Sequence, residues 1–463
     1  MRRRFVTYLA SLGFIALIAI SATARDEMHE PAGDTLVFNL DSVVHIYPDE
    51  SYLKIIDSVS NVVVDDAGSM SPFFRKLLHL RSGADDVVSI LHLGDSHVQG
   101  EFWDARLREL FQSDFGNAGR GLIVPHKLSG SNEARDYAIT TKNKLVSGRA
   151  TSRGLIEKLG FTGVAVGIES SEPVINIWSK VPFNSITVLH HYKAPLFSEP
   201  DSMRIGSYCT LGNSDRSTRI VLLKDTENIV LTGHLTDGYN NPTVYGFSLE
   251  NGSPGVLLHA AGVNSAAFEH FERNTDFTDG GAKVLAPDLI ILSLGTNNCY
   301  GGNYKSFQFR ETAENFVKKV RDNYPGTAIL LTTPMEGCRR YRRTYTVNKN
   351  VADVASVLML VARDLGVACW DMYTAAGGEN SSRVWYGRKL MQSDRLHLTQ
   401  DGYALQGDML YDAMMRAYNG YISRFRPDNV DAEVKDATGM LPTAVPEVEN
   451  SRDDVDKLVQ ETR

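Results

Sequence analysis

The sequence has few cysteines and no excess of basic residues. Four cysteines in 463 residues are too few for a disulfide-stapled scaffold, and no Cys-x-x-Cys or Cys/His spacing typical of a zinc site occurs. The chain has 48 lysine and arginine residues against 56 aspartate and glutamate residues, a net charge of -8. This balance excludes a broad basic surface for a phosphate backbone, so we expect no nucleic acid partner.

Long apolar runs are also scarce, and the longest lies near the N-terminus. Three arginines precede an apolar run from Phe5 to Ile20, which Ala22-Thr23-Ala24 follows. This order is typical of a secretory signal peptide, residues 1–24, cleaved after Ala24. An uncleaved membrane anchor is the alternative, because the run is nearly long enough to span a bilayer. We expect a periplasmic or secreted protein with no membrane span after cleavage.

The composition nevertheless supports a folded protein over most of the chain. Hydrophobic residues make up 43% of it, enough to build the cores of two or three domains. The stretch 427–463 differs, since it carries ten acidic and four basic residues and almost no aromatic residue. We expect it to be an acidic, disordered tail.

The sequence pattern predicts α/β structure in two separate blocks of the chain. After an N-terminal extension, 25–86, that ends in one helix, the apolar run 87–93 predicts a buried strand ending at Gly94, followed by a helix. The block 254–426 continues the alternation, which is typical of a parallel sheet covered on both faces. There we expect strands at 289–294, 328–333 and 366–373 and helices at 312–321, 351–365 and 403–421.

The residues between these blocks, 141–253, have a different pattern. Short β-branched or aromatic runs such as GVAVGIE, SITVLHHY and TVYGFSLE are separated by Gly, Pro, Asn, Asp and Ser. This spacing predicts an antiparallel sandwich or jelly roll. The sequence therefore predicts an α/β domain, 87–140 and 254–426, into which a β-domain is inserted.

Three motifs at the predicted sheet edge carry residues suited to acyl transfer. Ser96 in Gly-Asp-Ser-His follows the first strand, where open α/β folds place their sites. A serine needs a base and a group that orients the base, and His397 and Asp394 lie close together before the last helix. The amide of Asn297, in Gly-Thr-Asn-Asn, could donate to a developing oxyanion.

Together these motifs resemble those of the SGNH (GDSL-type) hydrolases. The resemblance implies that Ser96 is the nucleophile, His397 the base, Asp394 its partner and Asn297 an oxyanion donor. The family's glycine-containing block corresponds to HAAGVNSAAFEHF, residues 259–271, where Ser265 stands in place of the usual glycine. The oxyanion contact there is a backbone N–H, which serine also has, and Gly262 is the alternative donor. The backbone N–H of Ser96 is a further expected oxyanion donor.

A longer stretch is similar to the bacterial peptidoglycan O-acetylesterases. LHLGDSHVQGEFWDARLRELFQSDFGNAGRGLIVPHKLSG resembles the opening of those exported enzymes, whose core is interrupted by a β-domain. The resemblance implies a three-layer, flavodoxin-like parallel sheet with an inserted carbohydrate-binding-like β-domain. It also implies a serine esterase, with no metal or organic cofactor, that removes O-acetyl groups from a glycan such as peptidoglycan. Acetylated xylan or another polysaccharide, a glycan O-acetyltransferase and a non-catalytic glycan-binding protein remain alternatives.

Three further features near this edge have open interpretations. His97 is either a second base or a packed histidine that shapes the turn. The cluster Arg339-Arg340-Tyr341-Arg342-Arg343 is either a solvated loop or a grip on an anionic glycan or peptide carboxylate. Cys299 and Cys338 follow two strands whose ends face the same way, which raises the hypothesis of a disulfide at the rim.

Overall fold

A computed structural model of the chain describes residues 38–44, 51–152, 159–192, 196–197, 210–211, 217–235, 242–277 and 282–425. The predicted signal peptide, Cys209 and the predicted acidic tail lie outside these residues. From residue 39 onward the described residues belong to one compact unit. Within them, no helix combines the length and the apolar character needed to cross a membrane.

The strands of the described residues are short, apart from two long strands in the middle of the chain. In chain order they are β1 Val63–Val64, β2 Val87–Gly94, β3 Gly121–Ile123, β4 Tyr137–Thr140, β5 Lys144–Arg149, β6 Leu159–Gly160, β7 Val164–Glu169, β8 Val174–His191, β9 Thr210–Leu211, β10 Ser217–Thr232, β11 Thr243–Glu250, β12 Gly255–Gly262, β13 Thr275–Asp276, β14 Leu289–Ser293, β15 Ala328–Thr332, β16 Cys338–Tyr341, β17 Thr344–Val347 and β18 Ala368–Trp370.

Helices follow most strands of the α/β blocks. They are α1 Ser71–Arg81, α2 Ser96–Gln99, α3 Phe102–Phe115, α4 Phe268–Asn274, α5 Thr296–Tyr300, α6 Ser306–Asn323, α7 Asn350–Leu365, α8 Met372–Ala375, α9 Ser381–Gly387 and α10 Gln400–Ser423, with 3₁₀ turns at Tyr52–Lys54 and Ala282–Leu285.

The first sheet has the strand order β1-β18-β15-β14-β2-β12. Its last five strands are parallel, and their sequence order is the flavodoxin-like one, with the first strand lying between the second and the third. The register aligns Gly94 at the end of β2 with Gly262 of β12 and Ser293 of β14. The predicted α/β class is therefore confirmed, and the three strand ends meet at one edge of the sheet.

Strand β2 lies inside the sheet, and most of its residues are apolar. Seven of its eight residues are buried, as expected for a strand covered on both sides. Successive side chains point to opposite faces: Leu91 and Leu93 join the cluster that contains residues of α4, α6 and α7, while His92 contacts Asp104 of α3. Two helical layers therefore enclose the sheet.

Residues 63–81 of the N-terminal extension pack against this sheet and its helices. Strand β1 pairs antiparallel with β18 and caps one edge of the sheet. Helix α1 begins with proline at its first turn and buries one apolar face. On that face, Phe73 packs edge-on against Phe111 of α3 and Phe74 against Tyr418 of α10.

The second sheet is antiparallel and has eight strands. Its main path is β5-β7-β11-β8-β10-β9, with β3 paired to β11 and β4 paired to β8. Strands β3 and β4 precede residue 141, so the antiparallel sheet begins earlier in the chain than the predicted boundary of the insert. This sheet has its own apolar cluster, which includes Ile139, Phe183 and Phe247.

Two details differ from the sequence-based expectation. The runs INIWS and SITVLHHY join into the single strand β8, and STRIVLLK and NIVLTGH join into β10, because bulges near Val221 and Thr226 absorb the polar residues between them. The strand expected at 366–373 ends at Trp370, since the Asp371 side chain caps the short helix α8 by accepting from the Thr374 N–H.

A buried ionic network lies between α3 and the loops that lead into the second sheet. Glu101 Oε2 accepts from Arg108 at 3.0 Å and from Arg120 at 2.8 Å. Arg120 also donates to both oxygens of Asp136, at 2.9 and 3.1 Å. Burial raises the pKa of Glu101 despite the two arginines, so the carboxylate depends on them to remain charged.

We expect Arg120→Ala to destabilise the fold by about 3–5 kcal/mol, because the change leaves a buried carboxylate with one of its partners missing. Urea unfolding followed by fluorescence measures the effect. Arg310→Ala is the matched control, since Arg310 pairs with Glu314 and Asp364 at the surface and its loss should leave the midpoint unchanged. Equal midpoints for Arg120→Ala and wild type would contradict the expectation.

Candidate active site

Ser96 lies at a sharp turn between β2 and α2, at the carboxyl edge of the parallel sheet. Glycine is required at Gly94, because a Cβ there would lie 2.3 Å from a methyl carbon of Val98 and 2.9 Å from the Ser293 carbonyl oxygen. The Asp95 side chain caps α2 by accepting from the His97 N–H at 2.9 Å. The turn thus presents Ser96, half-buried, as the first residue of the helix.

The turn is tied to the end of β12 by close packing and hydrogen bonds. A Cβ on Gly262 would lie 2.2 Å from the Gln99 backbone nitrogen, so a larger residue there would push α2 away. The buried Gln99 side chain accepts from the Asn264 N–H at 2.7 Å and donates to Ser131 Oγ and to the Asn132 carbonyl, both at 2.8 Å. Sequence reasoning missed Gln99, because a lone glutamine carries no recognisable pattern.

His397 and Asp394 lie on one loop immediately before α10. Asp394 Oδ1 accepts from the N–H groups of Leu396 and His397, each at 3.0 Å, and Oδ2 lies 2.7 Å from His397 Nδ1. The loop turns at Arg395, whose φ is +54°. One carboxylate therefore shapes the loop and orients the imidazole at the same time.

The structure brings Ser96 within hydrogen-bond distance of this pair. Ser96 Oγ lies 2.9 Å from His397 Nε2. With its Nδ1 proton directed at Asp394, the neutral ring has a free lone pair on Nε2, which can accept the serine proton. The serine, histidine and aspartate chosen from the sequence thus form a continuous chain of hydrogen bonds.

The pKa values of this chain suit a base and its anionic partner. Burial would raise the pKa of Asp394, but hydrogen bonds from the His397 side chain and from two backbone N–H groups lower it to about 2. The hydrogen bond to Asp394 raises the pKa of His397, against the effect of burial. Asp394 is therefore charged at neutral pH and stabilises the protonated form of His397.

Asn297 lies in α5, directly beside the nucleophile turn. Its Nδ2 donates to the Ala266 carbonyl at 2.8 Å and to Asp95 Oδ2 at 3.1 Å. Both amide hydrogens are thus engaged when no substrate is bound. An oxyanion would have to replace one of these contacts, of which the one to Asp95 is the longer.

The two alternative backbone donors lie in different surroundings. Ser265 is exposed, with a φ of +65°, the left-handed region in which glycine is favoured. Gly262 is buried within β12, where it allows the close approach of α2. Within the described residues, the N–H groups of Ser96 and Ser265 have no hydrogen-bond acceptor. In their predicted role as oxyanion donors, these N–H groups could therefore bind the oxyanion without first losing an existing hydrogen bond.

His97 packs against the candidate base. Its ring stacks on that of His397 with centroids 5.0 Å apart, and its Nδ1 lies 3.0 Å from the Tyr403 hydroxyl. Burial, together with the nearby charge of His397, lowers the pKa of His97 to about 3. His97 is thus neutral at physiological pH and holds the base in position, as the packed-histidine interpretation expects.

A second chain of polar residues lies beneath the site, and sequence reasoning missed it. The fully buried His92 is 2.6 Å from Asp104 Oδ1 and 2.6 Å from Ser293 Oγ, which accepts from Thr332 at 2.7 Å. Ser293 lines a cavity of about 40 Å³ together with Asp95 and His97. The available signal was a histidine inside the mostly apolar strand β2, since a buried imidazole requires partners.

The predicted disulfide at the rim is wrong. Cys299 and Cys338 are both free, buried thiols. Cys299 Sγ donates to the Thr296 carbonyl and accepts from Asn348 Nδ2, both at 3.4 Å, so its thiol has partners other than a cysteine. The described residues also contain no group of three or more His, Cys, Asp or Glu side chains placed to hold a metal ion.

Comparison with known proteins gives a family match and a structural likeness. Residues 233–405 match the GDSL-like lipase/acylhydrolase family, a stretch that contains Asn297, Asp394 and His397. No curated protein matches the chain. Among solved structures, a peptidoglycan O-acetylesterase has a TM-score of 0.62 at 19% identity, over 77% of this chain and 99% of that chain.

Two further solved structures are less similar. A Bacillus subtilis protein has a TM-score of 0.30 at 12% identity, over 61% of this chain and 91% of its own. An acetyl xylan esterase has a TM-score of 0.28 at 16% identity, over 35% of this chain and 81% of its own.

The matched residues include the candidate base and its acid. Ser96 lies outside them, and the fold brings it within hydrogen-bond distance of the base. The structural likeness over most of the chain agrees with the α/β architecture. These findings support a carboxylic ester hydrolase whose residues 233–405 match the GDSL-like lipase/acylhydrolase family and whose fold is similar to that of a peptidoglycan O-acetylesterase.

Proposed function

We propose that this protein is an exported serine esterase that removes O-acetyl groups from a glycan, with peptidoglycan as the first candidate substrate. The observation that carries the proposal is the chain from Ser96 Oγ through His397 to Asp394, with contacts of 2.9 and 2.7 Å at the carboxyl edge of the sheet. These are hydrogen-bond distances, as activation of a serine by a base requires.

The proposed reaction has two steps. His397 Nε2 takes the proton of Ser96 as the oxygen attacks the acetyl carbonyl, and the protonated ring then donates to the departing sugar oxygen. Acetylated Ser96 remains, and His397 activates a water that releases acetate. The charge of Asp394 stabilises the imidazolium formed in each step.

The oxyanion of each tetrahedral intermediate needs donors that are already oriented. The N–H groups of Ser96 and Ser265 have no other acceptor among the described residues, and the Asn297 amide can exchange its contact with Asp95 for the oxyanion. Gly262 is the alternative backbone donor. Donors fixed in advance stabilise the intermediate without reorganisation during the reaction.

The size of the cavity beside the nucleophile turn supports a short acyl group. Its volume is about 40 Å³, room for roughly three water-sized groups. Leu294 and Pro334 contribute apolar surface to its lining, which suits a methyl group. The methyl group of an acetyl ester is small enough for this space.

The architecture and the N-terminus support a glycan substrate and export. The similar peptidoglycan O-acetylesterase covers 77% of this chain, more than the α/β blocks alone. We propose that the antiparallel sheet acts as a carbohydrate-binding-like domain, and Trp178 of β8, with 36% of its surface exposed, is a candidate for stacking on a sugar. The N-terminal signal pattern supports a periplasmic or secreted location.

Acetate release from native acetylated polymers tests the substrate class. We expect release from O-acetylated peptidoglycan, measured by an enzyme-coupled acetate assay, with acetylated xylan and a base-treated polymer as comparisons. Release from xylan alone would exclude peptidoglycan, and acetylated sugar products without free acetate would indicate a transferase.

Ser96→Ala should lower acetate release from an activated acetyl ester by at least about 10³-fold, because only transition-state binding remains without the nucleophile. Labelling by a fluorophosphonate should also disappear. Ser356→Ala, at an exposed position of α7, is the matched control and should retain both acetate release and fluorophosphonate labelling. Wild-type rates in Ser96→Ala would exclude the acyl-serine mechanism.

The pH profile should report the state of His397. The ring must be neutral to accept a proton, and its pKa is raised by Asp394, so kcat/KM should increase with pH through a midpoint above about 6.5, the ordinary histidine value. Asp394→Asn should move this midpoint to lower pH and reduce kcat by roughly 10²–10⁴-fold. Asp401→Asn, at an exposed position of α10, should leave the profile unchanged. An unmoved midpoint in Asp394→Asn would contradict the assignment.

Ser265→Gly should stabilise the protein by about 1 kcal/mol, because glycine adopts a positive φ without steric cost. Activity should persist, since the backbone N–H is retained. Urea unfolding measures the change, and Ser356→Gly within α7 should instead destabilise by about 1 kcal/mol. Loss of stability in Ser265→Gly would show that the serine side chain is needed at the turn.

A further inference from the structure

The arginine cluster singled out in the sequence forms a β-hairpin. Strands β16 and β17 pair from Cys338 with Val347 to Tyr341 with Thr344. Arg342 and Arg343 make the two-residue turn, and Arg342 has the positive φ, +54°, that tight hairpin turns use. All four residues of β17 are exposed, so the hairpin projects into solvent.

The base of this hairpin rests on the loop that holds the candidate base. The Cys338 N–H donates to the Arg395 carbonyl at 2.8 Å. At Gly337, a Cβ would lie 2.9 Å from a side-chain carbon of Leu396. Arg395 and Leu396 lie between Asp394 and His397, so the hairpin is a direct neighbour of the site.

The hairpin and this loop concentrate unpaired positive charge. Residues 338–347 contain four arginines, no lysine and no acid, and Arg395 lies beside them. None of these five arginines forms a salt bridge within the described residues. The nearby Glu336 is buried and accepts from Ser382 and Asn380, and it forms no salt bridge with these arginines within the described residues.

Exposed aromatic rings accompany the charges. The Arg342 guanidinium lies 5.4 Å from the centroid of the Tyr341 ring, and that of Arg395 lies 4.5 Å from Tyr386. Tyr341 exposes 58% of its surface and Tyr345 40%. Stacking orients a guanidinium while leaving its N–H groups free, and an exposed ring offers an apolar face to a sugar.

We propose that the hairpin 338–347, together with Arg395, is a subsite that binds the carboxylate groups of an anionic glycan and holds its acetyl ester near Ser96. Arginine is suited to this role because its planar fork binds a carboxylate through two parallel hydrogen bonds. The net charge of the whole chain is -8, so this local positive surface complements a polyanion that the rest of the protein repels. The part of this inference that concerns the acetyl ester rests on the proposed esterase function. The binding of carboxylates by the arginines does not depend on that function.

A triple variant, Arg340→Gln, Arg342→Gln and Arg343→Gln in the full-length protein, tests the subsite. On O-acetylated peptidoglycan at low salt we expect KM to rise about tenfold with kcat nearly unchanged, because rim charges act on association. The difference should shrink to within about twofold in 1 M salt, where the Debye length is about 3 Å. The matched control replaces Lys283, Lys318 and Arg321 with glutamine, since these residues lie towards the other end of the sheet.

Two readouts separate this proposal from the esterase assignment. A small neutral acetyl ester should be hydrolysed equally by the triple variant and the wild type, while Ser96→Ala should fail on every ester. If the triple variant had the wild-type KM at low salt, the subsite proposal would be wrong, while the esterase assignment would be unaffected. An equal rise in KM in the control variant would also overturn the subsite proposal.

Binding without catalysis provides an independent measurement. The full-length Ser96→Ala protein should bind polygalacturonate at least about tenfold more tightly than the fully methyl-esterified polymer, in which the carboxylates are blocked. The triple change should abolish this difference. Equal binding of both polymers would overturn the proposal, as would arginine-dependent binding to phosphatidylglycerol vesicles without binding to polygalacturonate.

Discussion

The geometry of the site depends on one hydrogen bond, between Ser96 Oγ and His397 Nε2. These residues are 301 positions apart in the sequence, so the sheet must bring their loops together. Each loop is held in shape by contacts of its own. Asp394 uses both of its oxygens within its own loop, and Gly94 and Gly262 allow the nucleophile turn to pack directly on two neighbouring strands. A catalytic contact tolerates positional errors of only about 0.5 Å. This requirement explains why so many local hydrogen bonds and close packing contacts hold the two loops.

The support beneath this contact is polar where a protein interior is usually apolar. Asp95, Gln99 and His92 are all buried, and each has hydrogen-bond partners. Burial raises the pKa of Asp95 to about 6, partly offset by the His97 N–H. Buried polar groups are costly unless they are satisfied, but a satisfied network permits only one arrangement. We interpret these residues as the elements that keep the turn in a single conformation.

Much of this arrangement could be predicted because the informative residues lie in short, local patterns. The run 87–94 predicted β2, and Asp394 and His397 are close enough in sequence to suggest one loop. The polar residues His92 and Gln99 could not be assigned, since their partners are brought near only by the fold. The bulges in β8 and β10 were missed for the same reason, and the disulfide hypothesis for Cys299 and Cys338 could not be decided from the sequence, because each depends on a tertiary neighbour.

The two sheets share part of one apolar cluster. Leu122 and Tyr245 of the antiparallel sheet are buried together with Leu93 and Ala261 of the parallel sheet. The antiparallel sheet could therefore not be exchanged for another without repacking the interior that it shares with the parallel sheet. A change of volume at one of these shared residues would disturb the packing of both sheets at once, whereas outward-facing residues of the antiparallel sheet can change without this cost.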